Sequence, residues 1–161
     1  MLVLDASSIV YGWDNYPIRL FPKVWDALAR SIGSNKMTMA RVALQEVGHV
    51  SPDCAKWLHD ESGLAPVEMD NNILKMSKSI KNLLEIKNDT YGPKGVDEND
   101  IFIIATARSL NATLISNEAM QLIRPSKLSN CKIPYVCAMP EVNVECINFL
   151  ELLNRSKKPF A

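Results

Sequence analysis

Short apolar runs alternate with longer amphipathic ones along this chain, and that alternation restricts its fold more than any other feature. Leu2-Val3-Leu4, Met37-Thr38-Met39, ATLIS around Leu114 and KIPYVCA from Lys132 have the length and character of buried strands, and APVEM from Ala65 reads as a further strand or extended link. After the first strand come a short helical turn and a Pro/Tyr-rich link. Pro22 then opens a helix through Val24, Trp25, Leu28 and Ile32 that stops near Gly33. Helices are also expected over ARVALQEVGHV, from Pro52 through Trp57 and Leu58 to near Gly63, and over NILKMSKSIKNLLEIK with Asp70 or Asn71 as cap. VDENDIFIIATARSLN has the same character, and a last helix is expected from Pro140 through Val144, Ile147, Leu150 and Leu153. Strands alternating with helices predict an α/β fold: a central parallel sheet with helices on both faces, in one domain over 1–161 that ends in a basic tail from about 155.

Composition narrows the partners. The 161 residues carry 18 basic and 18 acidic side chains, so any nucleic-acid contact must come from a local patch rather than a global field. Four cysteines without a C-x-x-C pair, and His49 and His59 far apart, suggest neither a redox motif nor a zinc site. No apolar run approaches the roughly 18 residues of a membrane span, so the expected setting is the cytoplasm, without a membrane partner.

Four acids stand where such a fold gathers ligands. Asp5 follows the first strand, Glu46 lies in the helix after the second, Asp100 lies in the first turn of a helix, and Glu118 follows ATLIS. Parallel strands end on one side of the sheet, where these acids can converge. Carboxylates crowded together resist joint ionisation unless a hard divalent cation ligates them, and Mg²⁺ or Mn²⁺ suits oxygen donors. Asp97, three residues before Asp100, reads first as a helix N-cap. Ser7 stands where a haloacid-dehalogenase-type phosphotransferase would need a second Asp, and no Gly-rich turn follows the first strand. Lys75, Lys78 and Lys81 recur on one helix, with Lys94 in the following loop. With Arg108 they are the candidate phosphate contacts, against the alternative of an ordinary solvated face.

MLVLDASSIV, LQEV, ENDIFIIATA and TLISNE, in that order, make the chain resemble the PIN-domain family of small metal-dependent nucleases, which includes many bacterial toxin–antitoxin toxins. The likeness runs over essentially the whole chain and implies a PIN-like three-layer fold. It implies that Asp5, Asp100 and Glu118 bind Mg²⁺ or Mn²⁺, with Glu46 as a further ligand or as base toward water. Ser7 and Ser116 match positions that support the acids, with Asp97 beside them. Glu118 departs from the Asp found in many relatives. The implied activity is hydrolysis of RNA phosphodiester bonds to 5′-phosphate and 3′-hydroxyl ends, as the toxin of a toxin–antitoxin pair, with an antitoxin protein and a second copy of the chain as expected partners. The alternative is a catalytically weak or inactive PIN-like protein-interaction module, since fold does not establish turnover.

Overall fold

The computed structural model describes residues 1–156. Its centre is a four-stranded, all-parallel sheet of β1 (Leu2–Leu4), β2 (Met37–Met39), β3 (Thr113–Ile115) and β4 (Cys146–Ile147), in the order β2-β1-β3-β4. Parallel neighbours need crossovers, and seven of the eight α-helices among the described residues lie in them: α1 (Ala6–Asn15), α2 (Pro22–Gly33), α3 (Arg41–Val50), α4 (Pro52–Asp60), α5 (Asn71–Leu83), α6 (Glu98–Ser109) and α7 (Ile133–Ala138), with α8 (Phe149–Arg155) following β4. The result is a PIN-like α/β fold with the sheet flanked by helices. Val3, Leu4, Leu114 and Ile115 are fully buried, as expected for strands covered on both faces.

Register places the site. Leu4 lies between Met39 and Ile115, so the strand ends are flush and the next residues, Asp5 and Ser116, emerge side by side. The Asp5 N–H still donates to the Ile115 carbonyl at 2.9 Å, extending the pairing one residue into the acidic motif.

Local chemistry accounts for the helix starts. Pro22 and Pro52 open α2 and α4, where a missing N–H costs nothing. Of the two candidate caps for α5, Asp70 takes the role, its Oδ1 accepting the Ile73 N–H at 2.8 Å. Away from the acids the three tryptophans meet: Trp25 of α2 packs edge-on against Trp13 of α1 at 5.0 Å and against Trp57 of α4 at 4.8 Å between ring centroids.

Four expectations need correction, the first being that the segment after β1 is the ten-residue helix α1 rather than a short helical turn. KIPYVCA is the helix α7, because Pro134 sits in its first turn and Ile133, Val136 and Cys137 recur at helical spacing on its buried side. The expected last helix from Pro140 is divided. Pro140 lies in a turn, Ile147 pairs with Ile115 in the fourth strand, and α8 begins only at Phe149, capped by Asn148, whose Oδ1 accepts the Glu151 N–H at 2.8 Å. APVEM forms no strand beyond a single parallel bridge between Ala40 and Val67. Of the basic tail, Arg155 closes α8 and pairs with Glu145 and Glu151, while 157–161 lie outside the described residues. No helix among the described residues is long and apolar enough to cross a membrane.

Candidate functional site: an acidic pocket at the strand ends

Asp5 is 3% exposed, directly beyond β1. Its Oδ2 accepts the hydroxyl of Ser7 and, at 2.9 Å, that of Ser116 beyond β3. Each hydroxyl oxygen in turn accepts a backbone N–H: Asn117 donates to Ser7 Oγ at 3.0 Å and Glu118 to Ser116 Oγ at 3.3 Å. Two serines thus lock the carboxylate of β1 to the turn leaving β3. Burial holds the Asp5 carboxyl above the usual range, against the hydroxyls and the Ala6 and Ser7 N–H groups, which favour its ionised form.

Asp100 arrives from α6 through a capping box. Asp97 Oδ1 accepts the Asp100 N–H and Asp100 Oδ2 accepts the Asp97 N–H, both at 2.9 Å. Asp97 is therefore the N-cap, and it also presses on its neighbour. Burial first, then the charges of Asp97, Glu118 and Asp5, push the Asp100 carboxyl up to about 8. Glu118 is anchored by the Ile133 N–H, which donates to Oε2 at 3.0 Å from the start of α7. Burial raises its pKa and so do the charges of Asp5 and Asp97, while Lys132 works in the opposite direction.

Glu46 joins from α3. Asn99 of α6 donates from Nδ2 to Glu46 Oε1 at 2.8 Å, tying the second helix to the residue beside Asp100. Its pKa is raised by burial and by Asp5 and Asp97. The charges of Asp5 and Asp97 thus act on Glu46, Asp100 and Glu118, and that of Glu118 on Asp100, although these residues come from distant parts of the chain. The hydrogen bonds named above hold one oxygen of each of Glu46, Asp100 and Glu118, which fixes how each carboxyl plane is set.

Half-buried carboxylates with hard oxygen donors and mutual repulsion have the chemistry to take a divalent cation. As the side chains stand, no group of three or more His, Cys, Asp or Glu among the described residues is placed to hold a metal ion. The donor set therefore fits by chemistry, and three-point ligation would require the carboxylates to draw in.

The candidate phosphate contacts divide. Lys75 and Arg108 line a shallow cavity of about 490 Å³ with Asn72, Met76, Ser79 and Ser109, and Lys78 and Lys94 are exposed. Lys81 is committed within the protein: it pairs with Asp89 at 2.9 Å and Glu98 at 3.0 Å and lies over the rings of Tyr91 and Phe102. Sequence reading missed Asn99, whose place between Asp97 and Asp100 in a first helical turn was the available signal. It also missed Lys132, hidden by the strand expected there.

The chain has a PIN-like α/β fold with a group of acidic side chains near the C-terminal edge of its sheet. Among solved structures, the chain is similar to one in the VapBC2 complex of Rickettsia felis bound to a DNA fragment from its promoter, at 18% identity and a TM-score of 0.53, over 91% of this chain and 97% of that one. It is also similar to a chain of DNA-bound VapBC from Salmonella typhimurium (15% identity, TM-score 0.54, 92% and 97% covered) and to one of FitAcB from Neisseria gonorrhoeae (12%, 0.49, 93% and 99%). At these identities the likeness is one of fold. A family model described as a domain of unknown function, DUF4411, matches residues 2–160, and the chain belongs to that family. No curated protein matches it.

Proposed function

We propose that this chain is a metal-dependent nuclease that hydrolyses RNA phosphodiester bonds, acting as the toxin of a toxin–antitoxin pair. The reading is supported by the electrostatic influence that Asp5 has on Glu46, Asp100 and Glu118, and Glu118 on Asp100, near the strand ends of the sheet. The toxin assignment draws support from the fold shared with chains of VapBC complexes, and it makes an antitoxin protein the expected partner.

Asp5, Asp100 and Glu118 would hold Mg²⁺ or Mn²⁺, which when bound acidifies water and neutralises charge on phosphate oxygens. The protein's own share is positional. Ser7 and Ser116 hold Asp5 Oδ2, and the Ile133 N–H holds Glu118 Oε2. Glu46, with Oε1 held by Asn99, would take the proton of the attacking water on Oε2. Burial keeps competing water away from the group at the centre, Asp5.

The test is cleavage of a structured RNA pool with Mg²⁺, Mn²⁺ or EDTA, with the ends mapped by sequencing. Asp5→Asn and Asp100→Asn should each abolish metal-dependent cutting in a folded protein. Full activity in the folded double variant would remove these acids from the chemistry. A second reading, a non-catalytic interaction module, is favoured by the wide placement of the carboxylates. It prevails if the wild-type protein cuts nothing with either metal yet binds a protein partner.

A further inference from the structure

Beyond Glu118 the chain makes a long excursion, 119–132, before α7. It is tied down at two places. Gln121 accepts the Lys132 N–H at 3.0 Å and donates to the Asn130 carbonyl at 3.1 Å, closing the excursion on itself. The loop 91–96 lies on it backbone to backbone: Val96 donates to the Cys131 carbonyl at 2.9 Å, and a Cβ on Gly92 or Gly95 would collide with Ser129 and Asn130. The excursion is therefore a wall anchored at Gln121 and over 129–132, and Lys94 stands in the neighbouring loop between Gly92 and Gly95.

Behind that wall is a cavity of about 440 Å³, separate from the carboxylates, lined by Leu83, Arg124, Leu128, Tyr135, Met139 and Glu141 among others. Its chemistry is mixed in an informative way. Its lining includes an aromatic ring, Tyr135, a planar guanidinium, Arg124, and a carboxylate acceptor, Glu141, together with aliphatic side chains. Tyr135 belongs to α7, the helix whose first residue, Ile133, holds Glu118, so cavity and acidic pocket share one rigid element. Lys127 and Lys132 flank the cavity's wall residues in sequence, and Lys132 acts on Glu118 directly.

Resting on the nuclease reading above, we infer that this cavity takes one unpaired nucleobase of a single-stranded RNA that also reaches the carboxylates. A base would stack on Tyr135 and Arg124, since every base offers a π-face to an aromatic ring or a guanidinium. Glu141, an acceptor, selects a base with an exocyclic amino group and discriminates against uracil. Lys94, Lys127 and Lys132 supply the phosphate contacts that α5 supplies only in part, because Lys81 is already paired. A duplex cannot use the site, because its bases are stacked and paired.

Binding of end-labelled single-stranded RNA oligonucleotides to the full chain in EDTA tests this without any cutting. Arg124→Ala and Tyr135→Leu should weaken binding by about five- to a hundredfold, the range of lost base stacking, while Tyr135→Phe keeps the ring and the affinity. Duplex RNA should compete poorly. In Mg²⁺, cut sites mapped by sequencing should avoid uracil at one fixed position, and Glu141→Gln should relax that avoidance. Arg124 and Glu141 are exposed, so these two variants test the inference even if Tyr135→Leu fails to fold. Unchanged affinity in Arg124→Ala together with unchanged cut sites in Glu141→Gln would overturn it. A wild-type protein that cuts nothing but binds single strands through Arg124 would remove the nuclease reading and keep the base site.

Discussion

Because the Asp100 carboxyl is pushed up to about 8 from an ordinary 3.8, the folded protein keeps a proton that the unfolded chain releases between those values. Over that window the native state binds more protons, so stability should fall as pH rises and level off above about 8. Thermal unfolding in EDTA from pH 5 to 9 reads this directly. Asp100→Asn, which keeps an acceptor for the Asp97 N–H, should flatten the slope and melt higher at pH 7, by about 2–4 °C for each kcal/mol relieved. An equal slope in wild type and variant would mean the burden lies on Asp5, Glu46 or Glu118 instead. The acids themselves were legible because a carboxylate just past a buried strand, or in the first turn of a helix, stands out against apolar neighbours. The residues that set them were not. Asn99 and Ile133 act through contacts between elements far apart in the chain, and the covering of Lys81 by Tyr91 and Phe102 depends on how α5 packs on α6.

Two elements can be separated from the chemistry they position. In α6, Asp97 serves both as cap and as a charge against Asp100. Asp97→Ala loses the cap and should cost about 1 kcal/mol. Asp97→Ser keeps the cap and removes the charge, so its midpoint in urea should lie above that of the alanine variant, with the Asp100 titration moved down when followed by carboxyl NMR. In the loop 91–96, Gly95→Ala drives a methyl into the Ser129 carbonyl and the Asn130 backbone and should cost about 1–3 kcal/mol, as overpacking does. Stability of Gly95→Ala within experimental error of wild type would show that the two backbones part easily. Helices that start with a proline or an Asx cap are legible from their residues alone, as at Pro22, Pro52 and Asp70. A six-residue apolar run such as IPYVCA is not, because strand and helix both bury it and only its neighbours decide.

At the scale of the molecule, the buried side chains form one cluster around the sheet, and all three tryptophans report from a single spot joining α1, α2 and α4. If that cluster melts as a unit, tryptophan fluorescence and far-ultraviolet circular dichroism should give the same midpoint in denaturant. An earlier fluorescence transition would mean that the α1–α2–α4 side opens by itself. The order β2-β1-β3-β4 also has a bearing on synthesis. β1 precedes the other three strands of the sheet in the chain but is an inner one in the sheet, and β3, one of its two partners, is translated only after α2 through α6. A nascent chain paused before Thr113 therefore presents a hydrophobic strand with one open row of N–H and C=O groups, a template for pairing with other chains. The time taken to translate from Met39 to Ile115 therefore sets how long that row stays open in synthesis.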